Sequence, residues 1–569
     1  MKDTSLRHLF PFFKQTANAD LIYFDNAATT QKPQNVLANI HDYYLVKNAN
    51  VHRSSFNLAN QTTAEFEDAR AYVQKFIGAK HKDQIVFTKG ATESINLVAK
   101  SLAEMDFPAG GRILLSATEH HANIVPWQVL ASKKNLQIDV IPVNEFGVWD
   151  QQKGLALLTD KTCIVSLALV SNALGSIQPV QPFLNKARAL NIISLIDAAQ
   201  AVAHLPIDVN QLDCDFLVFS GHKAFATTGT GVLYGKLTAL QKLPVFLTGG
   251  EMVKSVDFDS ATYQSSPLKF EAGTPHIEGI LALKEALQFI DSYRSQIIQH
   301  EMALITYLSA KMRSIPAVIL YGDQDNRIAT MSFTVKGQDS QDIGILLGEQ
   351  GIALRVGHHC AMPLMKRLNL SGTIRVSLSC YNTFEEIDFF IARLNEAIDQ
   401  LQHSESTKAV INAGIQDKDI SGNTTAPVNP VQDESKQNRM LADSIKSARG
   451  WDQVFRQIML AGKSLKRLAE SDKTADSEVF GCESQVWLTC QVTASKQLTF
   501  EVDASSKIVR GLLAIILEPI QNQRAEFVSA FDYKLYMSDI QLDRHLSESR
   551  GNGLAAVIEK IQHYAIQNS

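Results

Sequence analysis

The stretch that decides the fold is Asp215-Phe-Leu-Val-Phe-Ser-Gly-His-Lys223. Residues 215–219 form a short apolar run with one Val and two Phe, which reads as a buried strand, and Ser220-Gly221-His222-Lys223 ends it. A lysine that follows a buried strand sits at the edge of a sheet, where ligands of α/β folds collect. Its amine, when neutral and accessible, forms Schiff bases with carbonyl compounds. An isolated Ser-Gly-His-Lys would be a turn with its lysine in water. The sequence upstream argues against that.

Ile192-Ile-Ser-Leu-Ile-Asp197-Ala-Ala-Gln200 is a second apolar strand, and it ends in Asp197. A carboxylate there pairs with a protonated pyridine nitrogen. Pyridoxal phosphate asks two things of a protein, a lysine for its aldehyde and a carboxylate for its ring nitrogen. Asp197 alone would be a helix N-cap. Asp197 and Lys223 together, each closing a strand one unit apart, point to the cofactor.

Further out the same logic recurs. Lys89-Gly90-Ala91-Thr92 follows a strand at 84–88 and opens a helix. Free N–H groups and the Thr92 hydroxyl would cradle a phosphate, helped by the helix dipole; alone, such a turn is only an N-cap. Glu119-His120-His121 follows a strand at 112–116. A histidine there can stack on a flat cofactor and move protons. Adjacent histidines rarely face the same way, so one role is assigned, to one of the two. A strand at 163–170 ends at Ser171-Asn172. This alternation predicts an α/β fold with a mainly parallel sheet and crossover helices, then a small α+β region to about residue 402. In that region Arg355 and Arg375 offer guanidinium forks for a substrate carboxylate. Cys360, in the Gly/His-flanked loop Gly357-His-His-Cys360, is a candidate nucleophile.

At 569 residues the chain is too long for one core, so at least two domains are expected. A net charge of -5 argues against a nucleic-acid surface or a basic membrane patch. No apolar run is long enough for a bilayer, and residues 9–13 are too short for a secretory core, so a cytoplasmic location is expected. The six cysteines show no C-x-x-C spacing, which predicts neither a disulfide framework nor a metal site.

With these residues in view, 1–402 closely resembles the SufS-type (group II) cysteine desulfurases, fold type I pyridoxal phosphate transferases related to class V aminotransferases. The resemblance rests on Tyr23-Phe-Asp-Asn-Ala-Ala28, Asn50-Val-His-Arg53, Glu119-His-His-Ala-Asn-Ile-Val-Pro-Trp127, Asp197-Ala-Ala-Gln200, Ser220-Gly-His-Lys223, Phe270-Glu-Ala-Gly-Thr-Pro275, Arg355-Val-Gly-His-His-Cys360 and Tyr381-Asn-Thr383. It implies that Lys223 holds the cofactor and shuttles a proton, that Asp197 pairs with the ring nitrogen, that Gln200 bonds the ring hydroxyl and that His120 stacks on the ring. Thr92, Ser220 and His222 would bind the phosphate, with Thr274 reaching the phosphate of a neighbouring subunit in a homodimer built through this domain. Arg375 and Asn172, with Arg355 close by, would hold the carboxylate of L-cysteine. Cys360 would take its sulfur as a persulfide and leave L-alanine. The loop Ala224-Phe-Ala-Thr-Thr-Gly-Thr-Gly231 and Thr248-Gly-Gly-Glu-Met252 depart from the family pattern in sequence but not in size.

Residues 403–440 turn to Ser, Thr, Asn, Gln, Pro and charges and read as a flexible linker, with a coil span of roughly 35 Å. Beyond it, periodicity predicts helix at 441–470, strands at 486–492 and 498–502, and helices at 508–517 and 553–566. The 441–569 region resembles SufE, the α+β sulfur acceptor that partners SufS, through Gly481-Cys482-Glu-Ser-Gln-Val-Trp487, Ile508-Val-Arg-Gly-Leu512 and Ser549-Arg550-Gly-Asn-Gly-Leu554. The resemblance implies that Cys482 accepts sulfur from Cys360 and passes it to a SufBCD-like iron–sulfur scaffold, with Arg550 supporting the acceptor site. Asp503-Ala-Ser505 retains one of two acidic residues common in that family. Cys490, on a strand, reads as filler. Two rival readings are a different pyridoxal phosphate enzyme of this fold, such as a selenocysteine lyase, and a tail that docks a scaffold without carrying sulfur.

Overall fold

The computed structural model describes residues 5–53, 55–412, 440–447, 451–480, 484–493, 496–540, 542 and 548–568. The chain divides into two compact units: residues 1–333 with 347–393, and 334–346 with 394–569.

The first unit is built on a seven-stranded sheet in the order Ile85–Thr88, Gly231–Gly235, Phe216–Ser220, Ile193–Asp197, Thr162–Ala168, Arg112–Ser116, Gln137–Ile141. All strands run parallel except Gly231–Gly235, which is antiparallel to both neighbours. The mainly parallel expectation therefore holds. Phe216, Leu217, Val218 and Phe219 are all buried, as a strand covered by helices on both faces requires. The helix Ile277–Arg313, roughly 55 Å long, packs along this layer and adds Ile280, Leu283, Leu287 and Ile290 to the core.

The smaller region of the same unit carries the sheet order Val318–Tyr321, Thr330–Val335, Thr373–Ser377, Arg355–Gly357. Asp25 bridges to Ser377, and Ile22–Tyr23 pairs in parallel with Ile352–Ala353, so the N-terminal segment is sewn to this region.

In the second unit, strands Val486–Val492 and Gln497–Ala504 pair antiparallel, with Gln523–Arg524 at the edge. Val486, Leu488, Leu498, Phe500 and Val502 turn one face into a core shared with Ile458, Leu513, Ile516 and Ile561. Helix Lys507–Leu517 starts on Ser506, whose Oγ accepts from the Val509 N–H at 3.1 Å. Gly511 explains part of its motif: a Cβ there would lie 2.0 Å from the Ile458 carbonyl of helix Trp451–Ser464. Arg510 closes the same crossing by donating Nε to the Gly462 carbonyl at 2.9 Å.

Several boundaries differ from expectation. The stretch read as one helix at 441–470 contains Met440–Ser447, Trp451–Ser464 and a short turn Glu470–Asp472. Helix Phe384–Asn412 carries ten residues into the segment read as linker; Glu405 and Lys408 are good helix formers, and composition alone hid that. The rest of that segment, 413–439, lies outside the described residues, as does Cys482. Helix Glu548–Gln567 begins before the predicted 553.

Candidate active site

The C-terminal ends of the parallel strands converge on one cavity of about 270 Å³. Its lining includes Thr92, His120, Asn172, Asp197, Gln200, Ser220, His222, Lys223, Arg355, Cys360 and Arg375. Topology explains the gathering. Asp197 ends its strand, Ser220 ends the neighbouring one, and Asp197 pairs in register with Val218. Thr274 is exposed and lies outside this lining.

Lys223 closes a turn, Gly221–Lys223, directly after its strand. Burial lowers its amine to about 8; Asp197 opposes the fall and Arg375 adds to it. Asp197 is itself raised by burial, and is held down by the Ala199 N–H, which donates to Oδ1 at 2.9 Å, and by Lys223. A buried carboxylate and a lysine of tuned basicity thus face one space.

Helix Ala91–Leu102 opens on the cavity, and its N-cap, Gly90, has no side chain to close it. Ser220 Oγ accepts the Ala91 N–H at 2.9 Å, tying that helix start to the lysine strand. Close approach makes this possible: a Cβ on Gly231 would sit 2.3 Å from the Gly90 Cα. His222 is pushed down to about 4, first by burial and then by Lys223 and Lys32, so its ring is neutral at pH 7.

His120 Nδ1 accepts the Ala122 N–H at 3.0 Å. Burial, followed by Lys223, His121 and Arg375, lowers the ring to about 4. A neutral ring with Nδ1 as acceptor carries its hydrogen on Nε2. The turn that presents it is braced by Glu119, which is fully buried. Glu119 accepts from Ser116 Oγ, from Asn123 Nδ2 at 2.7 Å, and from the Ala168 N–H at 3.0 and 3.1 Å. Asn123 in turn accepts from Trp127 Nε1 at 2.9 Å and Ser166 Oγ at 2.6 Å. Nothing in the sequence ties Glu119 to Ala168.

Arg375 donates Nη1 to the Asn172 carbonyl at 2.9 Å and Nη2 to Asp25 at 3.0 Å. Arg355 also donates to Asp25, at 3.0 and 3.2 Å. Asp25 is a second residue that sequence reading missed. Asn172 donates Nδ2 to the His359 carbonyl at 2.6 Å, and Gln200 donates Nε2 to the Ala27 carbonyl at 2.8 Å. Both amides therefore turn toward the protein, and each retains an oxygen as acceptor. Asn172 Oδ1, His359 Nδ1 and Arg375 Nε are buried and have no hydrogen-bond partner among the described residues.

Cys360 is the one exposed cysteine among the described residues; Cys214 and Cys380 are buried, and Cys163 and Cys490 are half-buried. Burial pushes the Cys490 thiol up to about 11. Cys360 and His359 both adopt left-handed backbone, φ 55 and 51.

Pyridoxal phosphate suits this donor set. Lys223 and Asp197 supply the two groups its ring system needs, the uncapped helix start meets a phosphate, and unsatisfied polar atoms remain for a polar substrate.

In the second unit Asp503 is buried, with Lys473 Nζ at 3.2 Å and Arg510 Nη1 at 3.7 Å. Arg550 lies on helix Glu548–Gln567, and its side chain is outside the described residues. Among the described residues no helix is long and apolar enough to cross a membrane.

Residues 22–390 match the aminotransferase class-V family, and residues 439–565 match the SufE, Fe–S metabolism associated, domain. A probable cysteine desulfurase of Vibrio cholerae serotype O1 is 42% identical over 399 residues, covering 70% of this chain and 98% of that protein. The crystal structure of the cysteine desulfurase CsdA (S-sulfonic acid) from Escherichia coli superposes with a TM-score of 0.64 at 36% identity, covering 69% of this chain and 98% of that one. The apo cysteine desulfurase of Thermococcus onnurineus NA1 gives 0.66 at 34% identity over 69% of this chain and 98% of that one.

Proposed function

The chain belongs to the aminotransferase class-V family, as a cysteine desulfurase fused to a SufE-type domain, and we propose that its two units form a covalent sulfur relay from Cys360 to Cys482. The reaction converts L-cysteine to L-alanine and a persulfide. The observation that carries the assignment to residues is the single cavity that joins Lys223 and Asp197 to Cys360 and the two arginines.

Bound pyridoxal phosphate supplies the electron sink that makes the substrate's Cα–H and C–S bonds breakable. Asp197 would hold its ring nitrogen, His120 its ring and Gln200 its ring hydroxyl. Thr92, Ser220 and His222 would hold the phosphate, and Thr274 would hold the phosphate of a partner subunit. Lys223, whose amine burial brings down to about 8, takes a proton from the substrate carbon and returns it. Arg375, with Arg355, orients the substrate carboxylate, and Asn172, whose Nδ2 is bonded to the His359 carbonyl, offers its oxygen to a donor of the substrate.

Cys360 then attacks the substrate sulfur as a thiolate. An S–S bond forms as the C–S bond breaks, and the electron pair left on carbon is quenched by a proton to give alanine. Cys482 attacks the outer sulfur of that persulfide, and Cys360 leaves as a thiolate, so the transfer needs no external oxidant. Tethering both thiols on one chain gives an effective concentration of order ~mM. Arg550 supports the acceptor cysteine, the desulfurase region forms a homodimer, and a cytoplasmic SufBCD-like scaffold receives the sulfur.

The test is persulfide mapping by mass spectrometry after a pulse of L-cysteine. Wild type carries sulfur on both cysteines, Cys482→Ala on Cys360 only, and Cys360→Ala on neither. Sulfur that reaches Cys360 but never Cys482 would leave a desulfurase with a docking tail.

A further inference from the structure

The nucleophile loop is held very differently on its two sides. On the entry side its anchors are buried. His359 Nε2 meets the Thr373 hydroxyl at 2.9 Å and carbonyl at 3.1 Å, and the His359 carbonyl accepts Asn172 Nδ2. On the exit side the chain passes through exposed Cys360 into a short helix, Met362–Arg367. That helix starts at Ala361, which has no side-chain acceptor for the first free N–H groups. His121 supplies what Ala361 lacks. Its backbone N–H donates to the Cys360 carbonyl at 2.8 Å, and its ring Nε2 accepts the Met362 N–H at 3.1 Å. One residue from a distant turn thus grips the peptide groups on both sides of Ala361.

We propose that His121 is a positioning residue for the sulfur step, a two-point clasp that keeps Cys360 at the mouth of the cavity. The proposal rests on the assignment of Cys360 as the sulfur-accepting thiol. The left-handed φ of both His359 and Cys360 makes such a clasp necessary, because residues with a Cβ leave that conformation readily unless their surroundings over-determine it. The ring is competent as an acceptor: burial, and then His358, hold His121 below its ordinary range, which leaves a lone pair on Nε2 at neutral pH. His120, next in sequence, shows the contrast. Its Nδ1 accepts within its own turn, so only His121 turns a ring acceptor toward the loop.

The experiment uses the full chain loaded with pyridoxal phosphate, and two variants, His121→Phe and His121→Gln. Phe retains a flat ring without an acceptor; Gln retains an acceptor near the Nε2 position. After a short iodoacetamide pulse, peptide mapping reads alkylation at Cys360 and at Cys482 separately. Losing one hydrogen bond should speed Cys360 alkylation about fivefold in His121→Phe. His121→Gln should return it to within about twofold of wild type, and Cys482 should not change in either. In a single pulse of L-cysteine, His121→Phe should also load less persulfide on Cys360 at unchanged cofactor absorbance. An unchanged Cys360 rate in His121→Phe, or an equal rise in both variants, would overturn the clasp. Failure of Cys360 to load in wild type would instead overturn the relay on which it rests.

Discussion

Arg355 and Arg375 stand directly opposite each other on neighbouring antiparallel strands. Like charges in that register repel, and Asp25, bonded to both, resolves the conflict. Arg375 is 2% exposed, so its charge has little access to water. Asp25→Asn leaves it uncompensated, which costs roughly 3 kcal/mol. The variant should show a lower urea midpoint for the first unit. An unchanged midpoint would mean that the charge is balanced elsewhere.

Lys223 sets a pH threshold for loading. Only a neutral amine attacks an aldehyde, and burial lowers this one to about 8. Covalent capture of added pyridoxal phosphate by the cofactor-free chain should therefore rise about tenfold per pH unit below that value and flatten above it. Stopped-flow absorbance reads the rate. Flattening only near pH 10 would indicate an ordinary solvated lysine.

Glu119 accepts at its two oxygens from Asn123 Nδ2 and the Ala168 N–H, and an amide in its place keeps only one oxygen. Glu119→Gln should cost about 1–3 kcal/mol, read by thermal unfolding. The pH dependence has a definite sign. Burial raises the Glu119 carboxyl from 4.5 to about 7, so protonation favours the folded state. The wild-type chain loses that contribution as pH climbs between those values. Glu119→Gln does not titrate, and its deficit should narrow between pH 5 and pH 8. A deficit independent of pH would place the charged form in the fold at both.

Asp503, in strand Gln497–Ala504, joins Lys473 to Arg510. Asp503→Asn removes the carboxylate from a buried pair, roughly 3 kcal/mol. Hydrogen exchange in strand Gln497–Ala504 should speed up, while single-turnover alanine release from L-cysteine is unaffected. Unchanged protection would assign the acidic residue to the surface chemistry of that unit rather than to its core.

What sequence revealed, and what it hid, follows from distance along the chain. Asp197 and Lys223 were legible because Asp197 directly follows a run of apolar residues and Lys223 follows one after a three-residue turn, and such runs end where a parallel sheet ends. Cys360 was legible as a cysteine in a polar, glycine-flanked loop. Asp25 and Glu119 were not, because their meaning lies in partners 350 and 49 residues away. The amide orientations of Asn172 and Gln200 depend on carbonyls that no local pattern marks. The helix Phe384–Asn412 overran the segment read as linker because composition reports polarity, whereas helix continuation depends on the turn before it.

The opposed hydrogen bonds of His120 and His121 have a spectroscopic consequence. One ring carries its hydrogen on Nε2 and its neighbour on Nδ1, so the two rings are opposite tautomers on adjacent residues, three backbone bonds from Cα to Cα. In a sample labelled with ¹⁵N at histidine, the protonated and bare nitrogens of the pair exchange places along the chemical-shift axis. The turn that carries His120 to the cavity therefore contains its own reference compound: any ligand or loop movement that disturbs one ring is read against the other, in the same molecule and at the same pH.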